Sequence, residues 1–172
     1  MVRIYLIGFM GTGKTTLGHH VATKLDVPFV DTDQMIESKT GLPITAFFED
    51  KGEDAFRKIE AEVLRETSLL DKSIIATGGG LPVYHHNMDW LNEHGITMYL
   101  EWPEDILLAS LVHHRSVRPL ISKLSHDEAL QKAKTLLHER KPVYEMASMT
   151  LQLEGNFEKD AMLLEKACKY IW

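Results

Sequence analysis

Short apolar runs alternate along this chain with longer stretches in which apolar residues recur every three or four positions. That rhythm is the signature of strands interleaved with amphipathic helices. Ile4-Tyr5-Leu6-Ile7 opens the series as a buried strand, and the helical pattern after it ends near Leu25. Residues 28–30 read as a second strand leading through Asp31-Thr32-Asp33 into a short helix that stops at Gly41. A helix over 44–51 ends at Gly52, and from Glu53 a longer one sets Phe56, Ile59, Val63 and Leu64 on one face. Residues 73–76 form a third strand that runs into Thr77-Gly78-Gly79-Gly80. A helix over 87–93 stops at Gly95, 97–101 is a fourth strand, and Pro103 opens a helix that fades near His113. Residues 115–124 hold Pro119 and little periodicity, and read as a mobile loop. Ser125 and Glu128 make a capping box for a helix reaching about Tyr144; 150–153 is a fifth strand and 157–172 the closing helix. The alternation predicts an α/β fold, a five-stranded parallel sheet with helices on both faces, in one domain spanning 1–172.

The turn after the first strand changes this from a fold class to a chemistry. Gly8-Phe9-Met10-Gly11-Thr12-Gly13-Lys14-Thr15 matches G-x-x-x-x-G-K-[ST] between a strand and a helix. Glycines let successive backbone N–H groups turn inward on phosphate oxygens, and the helix N-terminus adds partial positive charge. Lys14 can reach the β- and γ-phosphates, and the Thr15 hydroxyl can ligate Mg²⁺. The motif predicts binding of a nucleoside triphosphate.

Composition narrows the partners. At 172 residues, 44% hydrophobic and 26% charged, the chain has ordinary globular proportions, and a net charge of −6 without a basic tract lacks the footprint of a nucleic-acid binder. Cys168 is the only cysteine, which rules out an intramolecular disulfide and suits a reducing cytosol. No apolar run is long enough to cross a bilayer, so the expectation is a cytoplasmic protein.

Several residues stand where such chemistry would need them. Asp31 and Asp33 fall at the end of the second strand, the edge where open α/β sheets bind ligands. Were the strand to persist, both carboxylates would face one side; otherwise Asp33 is a helix N-cap. Arg57 borders the apolar stripe of its helix, with Glu60 three residues on to orient the guanidinium; the plainer reading is a solvated salt-bridge face, and Arg140 has the same status. Two partly buried arginines would suit a carboxylate. Gly78-Gly79-Gly80 marks a tight bend or a close backbone approach. Arg118, in the loop before Pro119-Leu120, could stabilise charge on a transferring phosphoryl group. His19 and His20, His85 and His86, and His113 and His114 are adjacent pairs, but neighbours on a helix point about 100° apart and rarely share a metal, so no role is assigned.

In this order and spacing, Gly8 to Thr15, Asp31-Thr32-Asp33, Gly52-Glu53 with Phe56-Arg57 and Glu60, Thr77 to Gly80, Arg118-Pro119-Leu120, and Glu139-Arg140 with Tyr144 resemble the shikimate kinase family over nearly the whole chain. The resemblance implies a three-layer P-loop fold of the nucleoside monophosphate kinase type with a mobile lid at approximately 113–124. It implies ATP-dependent phosphorylation of the shikimate 3-hydroxyl in aromatic amino-acid biosynthesis, by a monomer that binds neither nucleic acid nor membrane. Gly11, Thr12, Gly13, Lys14, Thr15, Thr16 and Arg118 would bind the nucleotide; Thr15 and Asp31 would manage Mg²⁺. Asp33 would hold ring hydroxyls and take the proton of the attacking one, with Lys14 and Arg118 stabilising the transferring group. Arg57 and Arg140 would clamp the acceptor carboxylate with help from the N–H groups of Gly79 and Gly80, and Phe48 and Phe56 would line its site. One position departs from the family pattern: where members often carry an adenine-stacking arginine stands Leu111, with His113, His114 and Arg115 nearby. The rival readings are a gluconate kinase-like enzyme, a nucleoside monophosphate kinase, and a non-catalytic ATP-binding module. The presence of Asp33 and Arg118 favours catalysis.

Overall fold

The structure, a computed structural model, describes residues 2–113, 121 and 123–172. Among them five strands, β1 (Ile4–Ile7), β2 (Phe29–Asp31), β3 (Ile74–Ala76), β4 (Ile96–Glu101) and β5 (Met149–Gln152), form one parallel sheet in the order β2-β3-β1-β4-β5. Ile4 lies in register with Ile74 on one side and Ile96 on the other. Phe29 pairs with Ile74, and Met98 with Met149. The strands are apolar on both faces because both faces are covered. Tyr5, Ile7, Ile75 and Tyr99 pack beneath α3 (Ile44–Glu66), α4 (Asn87–His94), α5 (Glu104–His113) and α6 (His126–Tyr144). Ile4, Leu6, Ile74, Met98 and Leu100, one residue out of phase, pack against α1 (Lys14–Lys24) and α7 (Phe157–Ile171), where Cys168 is buried and free. A smaller cluster of Ile36, Phe56 and Val63 joins α2 (Thr32–Thr40) to α3.

Local chemistry sets the boundaries. Ser125 and Glu128 form the expected reciprocal capping box at α6, and the Asn156 side chain accepts the Lys159 N–H at the start of α7. Gly41 ends α2 in the left-handed conformation. Gly52, with φ 80° and ψ 174°, breaks α3 where a boundary between two helices was expected. Pro103 stands one position earlier than expected: its carbonyl accepts the Leu107 N–H, so it precedes the first turn of α5. Two single 3₁₀ turns, Thr67–Leu69 and Leu81–Val83, carry no periodicity long enough to announce them.

The Asp31-Thr32-Asp33 run differs most from its reading. The strand does not persist; β2 ends at Asp31 and α2 begins at Thr32. The cause is local, because the Asp31 carboxylate accepts the Asp33 N–H at 2.9 Å. Asp31, and not Asp33, is the N-cap, and Asp33 is left with its carboxylate in the first turn of a helix.

Candidate active site

β1 is the middle strand, and the chain leaves it toward β2 but later crosses from β3 to β4 on its other side. Connections that diverge in this way open a crevice beyond the carboxyl ends of the strands. The Gly8–Thr15 turn fills that position. Gly13 precedes α1 with φ 79° and ψ 14°, a conformation a Cβ would penalise. The Lys14 ammonium is buried and donates to the carbonyl oxygens of Gly8 and Phe9, each at 2.8 Å, which holds it across the loop. Thr15 Oγ1 donates to Asp31 Oδ2 at 2.6 Å, tying the first turn of α1 to the end of β2. A hydroxyl and a carboxylate side by side at a phosphate loop are hard oxygen donors, and two are few. That set fits Mg²⁺, which keeps several waters and is shared with phosphate oxygens.

The second half of the site stands on α3. Arg57 is not on a solvated face, as its plainer reading had it; it is 5% exposed. Its Nη1 donates to Glu60 Oε2 at 2.6 Å, and its Nε and Nη2 donate to Glu53 Oε1 at 3.1 and 2.7 Å. The Tyr84 ring covers the guanidinium, 4.4 Å from centroid to Cζ. Arg140, late in α6, is 4% exposed and also leaves the solvated reading behind. Its Cζ lies 5.9 Å from the Phe9 ring centroid. No salt bridge to Arg140 occurs among the described residues.

Glu60 is a strongly perturbed carboxyl. Burial pushes its pKa up from 4.5 to about 7, against the pull of Arg57 and with a further push from the Asp33 charge. Between about pH 4.5 and 7 the folded chain therefore holds a proton that the unfolded chain has released. Stability falls as pH rises through that window and levels off above it. Glu60→Gln should flatten this segment of the melting temperature against pH; an unchanged slope would place the titration elsewhere.

The three glycines explain how the halves meet. A Cβ on Gly78 would stand 2.7 Å from Asp33 Oδ1 and 2.9 Å from Glu60 Oε1. On Gly79 it would meet the Met10 backbone nitrogen at 3.1 Å, and on Gly80 the Arg57 Nη1 at 2.5 Å. The Gly78 N–H donates to Thr32 Oγ1 at 3.0 Å, which gives the middle residue of the Asp-Thr-Asp run its task. Three functional groups and the phosphate loop thus crowd one backbone segment. Gly80→Ala should push the Arg57 guanidinium aside and raise the KM of the acceptor at least about tenfold, a charged hydrogen bond being worth roughly that much. An acceptor KM unchanged in steady-state kinetics would show that Arg57 can give way without cost.

All this lines one cavity of about 610 Å³, within the usual range for small-ligand sites. Its walls include Gly11, Gly13, Lys14, Thr15 and Thr16 from the donor side, then Asp31 and Asp33. Phe48, Phe56, Arg57, Glu60, Gly79, Gly80 and Arg140 complete it. Thr12 is buried beneath the loop, its hydroxyl donating to the Phe9 carbonyl. Arg115, Arg118 and most of the expected lid at 113–124 lie outside the described residues. Leu111 is 1% exposed, and a Cβ on Gly11 would touch its side chain at 2.8 Å; it packs under the phosphate loop instead of offering a surface to a base. Sequence reasoning missed the Glu53 bond to Arg57 and the Tyr84 ring over it. It also gave Tyr144 no task, although its spacing of four from Arg140 was a usable signal.

A phosphate loop at the switch point of a five-stranded parallel sheet, opening onto a cavity with a carboxylate and two buried guanidinium groups, defines a P-loop kinase for a small anionic acceptor. Comparison with known proteins narrows the class: the model of the family described as shikimate kinase matches residues 10–170. The chain belongs to the shikimate kinase family. Shikimate kinase of Bacteroides thetaiotaomicron is 38% identical over 174 residues, covering 96% of this chain and 99% of the relative. That of Salinibacter ruber is 37% identical over 163 residues, covering 92% and 80%. Among solved structures, a shikimate kinase from Acinetobacter baumannii in complex with shikimate superposes with a TM-score of 0.88 at 36% identity, covering 99% of this chain and 93% of that one. A gluconokinase from Sinorhizobium meliloti, at 16% identity and a TM-score of 0.62, shares the fold alone.

Proposed function

We propose that this chain transfers the γ-phosphoryl group of ATP to the 3-hydroxyl of shikimate, giving shikimate 3-phosphate and ADP in aromatic amino-acid biosynthesis. The observation that carries the reading is Arg140, a buried guanidinium with no carboxylate partner among the described residues, lining one cavity with the phosphate loop. A buried cation with no carboxylate in salt-bridge contact is costly, and a ligand carboxylate beside it reduces that cost. Arg57 adds a second guanidinium on the same wall.

The acceptor carboxylate binds Arg57 and Arg140, and the ring then lies over Phe48 and Phe56 with its hydroxyls toward Asp33. The 3-hydroxyl oxygen forms its bond to the γ-phosphorus while the bond from that phosphorus to the β–γ bridging oxygen breaks. Asp33 accepts the hydroxyl proton. Lys14 and the loop N–H groups hold the phosphate oxygens, and Arg118 meets the same charge from the lid. Thr15 and Asp31 would hold Mg²⁺, Asp31 through water; when bound, the ion neutralises charge across the β- and γ-phosphates. The enzyme works as a monomer in the cytosol, without nucleic acid or membrane, and no described helix is long and apolar enough to cross a bilayer.

The test is ADP release from MgATP by the purified protein with shikimate, with gluconate and with no acceptor. Release that requires shikimate is expected. Slow release indifferent to every acceptor would leave only the nucleotide site standing.

A further inference from the structure

Tyr144 is fully buried at the end of α6, outside the walls of the cavity, yet it touches a group that the cavity depends on. Its hydroxyl donates to the carbonyl oxygen of Gly79 at 2.5 Å, and the Arg140 charge, one helical turn earlier in α6, acts on the same phenol. The direction of the bond is fixed by chemistry: a carbonyl can only accept, so the phenol gives its one proton to Gly79. Burial drives the phenol pKa up to about 12, which keeps that proton in place at any working pH.

The consequence lies on the far side of the peptide bond. A trans peptide is planar, with its C=O and N–H pointing in opposite directions. Fixing the Gly79 carbonyl toward the core therefore turns the Gly80 N–H toward the cavity that Gly79 and Gly80 line. Two glycines in succession would otherwise let this peptide rotate, since neither has a Cβ to hold it. The N–H is thereby presented to the cavity that Arg140 also lines.

We propose that Tyr144 is a positioning residue for the acceptor carboxylate: its phenol oxygen, through the Gly79 carbonyl, orients the Gly80 N–H into the cavity lined by Arg140, so that N–H and guanidinium act as a single anion receptor. This rests on the reading of the site as one for shikimate. Tyr144 does not touch the acceptor; it acts through the Gly80 N–H, which does. The Tyr99 ring, 5.4 Å away between centroids, packs on Tyr144 in the core and provides a control of similar burial.

Tyr144→Phe removes the oxygen and keeps the ring. Its KM for shikimate should rise about tenfold, the worth of one hydrogen bond to a charged receptor, with kcat and the KM of MgATP within about twofold. The wild type should prefer shikimate to shikimate methyl ester, and that preference should shrink by about the same tenfold in the variant, because the ester lacks the anion. Tyr99→Phe should leave the preference intact. An unchanged shikimate KM overturns the inference, as does an equal rise for acid and ester, which would mark a purely structural role. Should Tyr144→Phe fail to fold, the Gly80 amide of the wild type decides: its NMR resonance must move on adding shikimate, and a static resonance overturns the inference. Wild-type protein without shikimate-dependent turnover would take down the functional reading and this inference with it. Turnover by the wild type with an unaffected variant would take down the inference alone.

Discussion

Asp33→Asn is expected to slow phosphoryl transfer to shikimate about a thousandfold while leaving MgATP binding unchanged, since a positioned proton acceptor contributes roughly 10²–10⁴-fold. The substitution keeps the shape of the side chain and its place in the first turn of α2. It removes the charge that, in the proposed reaction, attracts the departing hydroxyl proton. Asp33 lines the cavity with its carboxylate beside Gly78 and Glu60 and meets Asp31 through its backbone N–H, which the substitution leaves in place, so the nucleotide should not sense the change. The check is a pair of measurements, kcat for ADP formation and the Kd of MgATP by titration. Full activity would remove Asp33 from the chemistry. A large loss of nucleotide affinity would place it with Asp31 instead.

Arg140→Ala should raise the KM of shikimate about a hundredfold, because truncating one side of a buried charge pair costs roughly 2–5 kcal/mol. The same change should cost the free enzyme little stability. Arg140 makes no salt bridge among the described residues and acts on Glu53 and Glu60 only from beyond contact, so its removal breaks no buried pair. Arg57→Ala makes the contrast. It leaves Glu60, 1% exposed, without the guanidinium that it accepts from at 2.6 Å. Breaking a buried pair from one side costs about 3–5 kcal/mol. Both variants should bind shikimate poorly, but Arg57→Ala should also melt well below the wild type. Equal melting temperatures would show that Glu60 is kept by other partners, and an unchanged KM in either variant would put the carboxylate clamp elsewhere.

Much of this architecture is written in local signals. The strands were legible because both faces of the sheet are covered, which makes each a short continuous apolar run such as Ile4–Ile7. Helix ends were legible where a side chain or a glycine marks them: Ser125 with Glu128, Gly41, Gly52. The phosphate loop was legible because its chemistry needs fixed residue types at fixed spacing. What was not legible depends on contacts across the fold. Spacing could place Arg57 beside an apolar stripe but could not bury it, because the Tyr84 ring that covers it comes from a distant turn. The Asp31-Thr32-Asp33 run was misjudged because one capping bond, Asp33 N–H to Asp31, competes with two more residues of strand, and propensity does not decide between them. Tyr144 carried its helical spacing from Arg140, but its bond to Gly79 spans 65 residues.

The glycine run also makes the site a calliper. Gly79 rests on the backbone of the phosphate loop and Gly80 on the guanidinium of Arg57, so a few ångströms of unadorned main chain set the span between the jaws. In the proposed reaction one jaw grips a phosphate and the other a carboxylate. A molecule is thereby measured by the reach from its acid group to its hydroxyl, and one carrying both groups at another separation fits one jaw and misses the other. Selectivity of that kind is inherited from the scaffold, and altering it would require moving a strand end, not exchanging a side chain in the cavity wall.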